Sequence, residues 1–215
     1  MEKIVCKGKS IGGDIIIEIT ADDGQVRPEY LRGVRCGLSW PTAVSPGYYC
    51  LVGQLFERNP AGKYLLMLLR EGQEQLVNSL FQKMADDLGK FYGEEIYSDL
   101  SENFRSYMIA FNQYASDRDG SQDLCLLPVP FHQSFVHGVS LIKEWKKDDA
   151  LFIPEGTIVH NQLREMKIED LKSNPQEVFY AINGLRYVMG AFETFPISPP
   201  ERREASPPDN FEAWT

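Results

Sequence analysis

Gly33-Val34-Arg35-Cys36-Gly37-Leu38-Ser39-Trp40 is the stretch from which the rest of the chain is read. It is apolar and β-prone, it is closed by Pro41, and it is followed by two more segments of the same kind, Tyr48-Tyr49-Cys50-Leu51-Val52-Gly53 and Tyr64-Leu65-Leu66-Met67-Leu68-Leu69. Runs of this length bounded by proline and glycine read as three consecutive strands. The periodicity then changes. Leu76, Val77, Leu80, Phe81, Met84, Leu88 and Phe91 recur at spacings of three and four, which predicts an amphipathic helix over Gln73 to Tyr92.

Beyond that helix, strand and helix alternate. Glu94-Glu95-Ile96-Tyr97-Ser98-Asp99 reads as a short strand and Glu102 to Ala115 as a helix. Leu124 to Val129 is a strand, Ser134 to Lys147 a helix with Phe135, Val139, Ile142 and Trp145 inward, and Leu151-Phe152-Ile153 a brief strand. The last helix is expected to begin at Asn174 as N-cap, with Pro175 at its first position and Glu177 completing an approximate capping box. Its apolar face is Val178, Ile182, Leu185, Met189 and Phe192. A meander followed by helix-connected strands implies an α/β fold with a mixed sheet.

On either side of this block the chain has a different character. Residues 1 to 32 read as an N-terminal hairpin or extension, from the run Asp14 to Ile19 and the turn signal Asp22-Asp23-Gly24. The domain itself is expected over 33–195. Residues 196–215 are proline-rich and expected to form an extended or disordered tail, with Phe211 and Trp214 as anchors if the segment docks a partner.

Composition bounds the function. With 215 residues, 43% hydrophobic and 25% charged, the chain has the profile of an ordinary globular domain. No apolar run reaches the roughly 18 residues of a membrane span, and Met1 to Ser10 lacks the apolar core of a signal peptide, so a cytoplasmic location is expected. A net charge of -9 argues against a wholly basic nucleic-acid coat while leaving room for a local basic groove. Cys6, Cys36, Cys50 and Cys125 lack zinc-ligand spacing and are expected to be reduced. There is no GxxxxGK[ST] loop, GxGxxG turn, GxSxG elbow or HExxH pair, hence no nucleotide-binding motif and no support for the common hydrolase arrangements. His132, His137 and His160 form no pattern that marks a nucleophilic pair.

Asp99, closing a strand, is the more informative residue. Ligands of open α/β sheets bind beyond the carboxyl ends of the strands, and a carboxylate there can hold a divalent cation. The same Asp99-Leu100-Ser101-Glu102 run also matches a helix cap.

The chain from about Gly33 to Phe192 resembles the nuclease domain of phage terminase large subunits. Gly37-Leu38-Ser39-Trp40 and the strand after it resemble the family's first hairpin, written G-hydrophobic-D-W-G. Ile96-Tyr97-Ser98-Asp99 resembles its central strand ending in an acid, Gly138 to Ile153 the helix and strand before its final helix, and Phe179 to Tyr187 its H-x-I-D-A-L-R-Y helix. The resemblance implies a ribonuclease H-like mixed sheet with helices on both faces, DNA or phage packaging proteins as partners, and magnesium or manganese as cofactor if the chain is active. It also implies three acidic positions, which here are Ser39, Asp99 and Asn183. Only Asp99 keeps the acid. Two-metal cleavage needs carboxylates that both ligate the cations and offset their repulsion, and a hydroxyl or amide does this weakly. The expectation is therefore a module of phage or prophage origin, impaired in catalysis and acting by binding, with Asp99 as the remnant metal ligand. The alternative is an active endonuclease in which Asp14, Glu71 or Asp123 rebuilds the site. Arg186, three residues after Asn183, is expected to pair with Asp99 or to meet a phosphate.

Overall fold

A computed structural model describes residues 3–21, 23–118, 123–129, 135–167, 169–172 and 178–197. Among them, eight strands form one mixed sheet. β1 (Lys3–Lys9), β2 (Ile15–Thr20), β3 (Val26–Ser39), β4 (Gly47–Arg58) and β5 (Tyr64–Glu74) run as an antiparallel meander. β6 (Glu95–Ser98) adds in parallel to the carboxyl half of β3, β7 (Cys125–Pro128) to β6, and β8 (Leu151–Phe152) to β5. The meander curls enough for the Arg70 guanidinium on β5 to donate to the Ile4 carbonyl on β1 at 2.7 Å.

Helices cover both faces. α1 (Val77–Lys90) and α2 (Arg105–Asp117, entered through a 3₁₀ turn at Glu102–Phe104) lie on one. There Leu80, Phe81, Met84 and Phe111 pack with Cys36, Leu38, Tyr49 and Leu51. α3 (Phe135–Lys147), α4 (Ile158–Glu165) and α5 (Tyr180–Thr194) lie on the other, where Val139, Ile142, Val159, Ile182, Leu185 and Val188 meet Tyr48, Cys50 and Val52. Clad on both sides, the first nine residues of β4 are all buried, which explains why that segment reads as a continuous apolar run and not as an alternation. No helix among the described residues is long and apolar enough to cross a membrane.

Several local expectations are corrected. The first helix begins at Val77 and not at Gln73, because β5 continues to Glu74 and pairs there with Gly47. The last helix begins at Tyr180; Val178, expected inward, lies in a turn and is 67% exposed, and Asn174, Pro175 and Glu177 fall outside the described residues, as do 198–215 of the proline-rich segment. β3 starts at Val26, so the expected boundary at 32/33 falls inside a continuous strand, and β1 and β2 extend the same sheet. α4 was not anticipated: at eight residues it is too short to establish a period, although Thr157 caps it by accepting the His160 N–H at 3.3 Å.

The contact that sets the position of α5 is made by two glycines. A Cβ built on Gly37 of β3 would stand 1.9 Å from the Gly184 carbonyl oxygen of α5, and one on Gly184 would stand 2.7 Å from the Tyr48 ring. Neither position tolerates a methyl group without helix and sheet separating. Gly37→Ala is expected to destabilise the fold by at least about 2 kcal/mol in urea denaturation. Gly12→Ala, whose added methyl would meet only ordinary contacts at 3.6 and 3.7 Å, is expected to shift stability by less than about 0.5 kcal/mol.

Candidate functional site

β3 and β6 are parallel neighbours whose last paired residues are Leu38 and Ser98. The next residue on each is therefore Ser39 and Asp99, side by side at the carboxyl ends of adjacent strands. Strand alternation puts Ser39 on the same face as Gly37, the face that α5 crosses. Tyr97, two residues before Asp99, packs with Tyr187 and Ala191 of α5 on that face. Asn183 precedes the contact glycine Gly184. All three matched positions thus lie where α5 passes over the ends of β3 and β6.

Their environments differ. Asp99 is half-buried: one carboxylate oxygen accepts the Ser101 N–H at 2.9 Å, and its backbone carbonyl accepts the Trp40 indole N–H at 2.7 Å. The expected capping role is therefore a local turn, since Ser101 is the N-cap residue of the 3₁₀ segment. Ser39 and Asn183 are buried, at 6% and 5% exposure. The Asn183 amide oxygen accepts from Arg186 Nε at 2.7 Å, and Arg186 Nη2 reaches the Tyr187 hydroxyl at 3.3 Å. The guanidinium is thus directed toward Asn183 and Tyr187, both on α5. Burial raises the Tyr187 phenol pKa, the Arg186 guanidinium lowers it, and the nearby Asp99 carboxylate raises it further.

The acids proposed as substitutes lie elsewhere. Glu71 is on β5, opposite Cys50, which is itself opposite Gly37, so β4 separates Glu71 from β3. Its carboxylate accepts the Tyr48 hydroxyl at 2.7 Å and the Ile158 and Val159 N–H groups at the start of α4. Asp14 sits beside Ile15, which pairs with Leu31, eight residues back along β3 from Ser39, or roughly 25 Å of strand. Asp123 is exposed, ahead of β7. Among the described residues no three His, Cys, Asp or Glu side chains gather where they could hold a metal ion.

Two positioning residues were not legible in advance. Gln162 of α4 accepts the Ala181 and Ile182 N–H groups of the first turn of α5, at 2.9 and 3.4 Å. At the other end, Arg35 of β3 donates to the Ala191 carbonyl at 3.2 Å and to that of Phe195, while its Nε pairs with Glu95 at 2.6 Å. A buried arginine inside an apolar strand was the available signal for the second; a lone glutamine in an unread helix offered none for the first.

No family model matches the chain, and no curated protein matches its sequence. Among solved structures it is similar to the large terminase nuclease domain of bacteriophage SPP1 with bound Mn, at 11% identity and a TM-score of 0.51, over 75% of this chain and 86% of that one. It is also similar to the Holliday junction resolvase of fowlpox virus, at 11% identity and 0.39, over 75% and 98%, and to the large terminase nuclease of thermophilic phage G20c, at 12% and 0.42, over 75% of each. The fold is ribonuclease H-like.

Two outcomes are expected of this arrangement. Gln162→Ala removes the acceptor for the first turn of α5 and is expected to cost about 1 to 2 kcal/mol in urea denaturation. Burial, partly offset by Arg35 and assisted by Glu95, pushes Tyr97 up to about 12 from an ordinary 10. The neutral phenol is the form the fold prefers, so the unfolded chain ionises first and stability falls as pH rises from 10 to 12. In a series of denaturation midpoints across that window, Tyr97→Phe is expected to show a shallower decline than wild type.

Proposed function

We propose that this chain is a nuclease-fold module of phage or prophage origin that binds DNA, or DNA together with packaging proteins, in the cytoplasm, and that is impaired in cleavage. The observation that carries this reading is the Asn183–Arg186 pair. At the position where the resembled family has an acid on its last helix, this chain has a neutral amide occupied by a guanidinium.

The donor set does not fit a pair of divalent cations. Ser39 and Asn183 bring no charge, Asp99 brings one carboxylate, and the buried Arg186 guanidinium supplies a fixed positive charge beside them. Two cations would add their charge to that of the arginine with a single carboxylate to offset it.

The test is plasmid cleavage by the full chain across magnesium and manganese concentrations, beside Asp99→Ala prepared identically, with duplex binding measured in the presence of a chelator. The expected result is no cleavage by either protein and binding that survives the chelator. Metal-dependent cutting that disappears in Asp99→Ala would establish an active, rearranged site in place of this reading.

A further inference from the structure

Away from the strand ends, the face that carries α5 holds a second arrangement of cationic and aromatic groups. Arg32 sits where the β3–β4 pairing slips between Leu31 and Gly33. A bulge of this kind adds a residue to one strand and re-aims its side chain. The Arg32 guanidinium is 4.6 Å from the centre of the Phe56 ring and 4.9 Å from that of Tyr64, and the Arg58 guanidinium is 4.0 Å from the other side of the series, over Tyr64. Phe56 and Arg58 alternate along β4, and Tyr64 pairs with Arg58 at the start of β5. The result is a ladder, Phe56–Arg32–Tyr64–Arg58, built on three adjacent strands.

The ladder is on the same side of β4 as Gln54, whose side chain brackets the Ile197 backbone by accepting its N–H at 3.0 Å and donating to its carbonyl at 2.9 Å. Arg58 is further fixed by bonds to the Gly62 carbonyl and the Tyr64 hydroxyl. Neither arginine is in an ion pair among the described residues, whereas Arg35, Lys63, Lys83 and Lys90 all are. Arg32 Nε and Nη1 are buried and lack a hydrogen-bond partner among the described residues. In a chain of net charge -9, two adjacent guanidiniums held flat by aromatic rings and paired with no carboxylate among the described residues are an exception to be explained.

Stacking alone leaves the N–H edges of a guanidinium without acceptors, and unmatched buried donors are costly. The exposed Arg58 edge and the part of half-buried Arg32 that is not enclosed can meet an oxyanion, and phosphate matches the planar fork of arginine best. We infer that the Arg32–Arg58 ladder is a phosphate-binding site that takes the sugar–phosphate backbone of DNA, at a distance from the strand-end site. Arg32 lies seven residues from Ser39 along β3, roughly 23 Å, which corresponds to about seven nucleotides of one strand of a duplex. The ladder carries no sequence information; it holds the duplex in register on the face.

This inference rests on the DNA-binding reading, and one experiment separates their failures. Fluorescence anisotropy of a labelled duplex of roughly 30 base pairs, titrated between about 50 and 200 mM salt, is compared for the full-length wild type, Arg58→Gln, Arg32→Gln, the double variant and Lys90→Gln. Lys90 is an equal-charge control on α1, across the sheet. The double variant is expected to bind on the order of tenfold more weakly, with a salt slope shallower by about one to two, while Lys90→Gln stays near wild type. Arg58 is exposed, so its single variant keeps the fold, checked by an unchanged thermal midpoint, and is expected to lose part of the slope alone. Wild-type binding that both arginine variants and the control retain equally would overturn the ladder as a DNA site and leave the binding reading intact. A wild type that fails to bind any duplex would overturn both.

Discussion

The rest of the structure depends on how closely α5 approaches β3. A helix usually rests on a sheet through its side chains, but here the backbones meet, because Gly37 and Gly184 both lack the Cβ that would hold them apart. That approach lowers the residue before Gly184 to the level of the strand ends. It also leaves Asn183 and Ser39 buried while Asp99, one strand further out, stays half-open. Had α5 ridden at the ordinary separation, Asn183 would lie above the sheet.

A helix this close must be held along its axis as well as against the sheet. Glu71 accepts the first N–H groups of α4, α4 presents Gln162, and Gln162 accepts the first N–H groups of α5. These are the orphan donors of two helix starts, satisfied in series by side chains of β5 and α4. The carbonyls at the other end of α5 are met by Arg35, which is anchored in turn by Glu95 at the start of β6. Glu71, considered above as a substitute metal ligand, is therefore spent on structure: its carboxylate accepts from two helix N–H groups and the buried Tyr48 hydroxyl. Burial, with Cys50 and Glu71 adding to it, raises the Tyr48 phenol well above its ordinary range, so that hydroxyl remains a donor.

What the sequence disclosed follows from the same physics. The meander, the parallel strands and the long helices have periods that repeat often enough to be read, and the order of Gly37-Leu38-Ser39-Trp40, Ile96 to Asp99 and Phe179 to Tyr187 carried the fold. Side-by-side placement of Ser39 and Asp99 was implied once β3 and β6 were taken as neighbours. The eight-residue α4 and the side-chain caps were beyond reach, since a short element shows no period and a cap is a contact between residues distant in sequence, as with Gln162 and Ala181. The Arg32 ladder was hidden for a different reason. It requires a strand bulge that slips Arg32 onto the face of Phe56, and strict alternation along β3 misplaces it.

The neutral residues at the strand ends also make energetic sense in their own right. Three carboxylates gathered beneath a closely packed helix would repel one another and resist desolvation unless cations stood between them, so such a site ties local stability to metal. Serine at 39 and asparagine at 183 bring no charge to these buried positions, and the carboxylate beside them, Asp99, keeps contact with solvent. The Asn183 amide then gains a partner in the Arg186 guanidinium, which a carboxylate committed to a metal could not serve in the same way. The close glycine contact and the capped helix are thereby compatible with strand ends whose buried positions carry little charge.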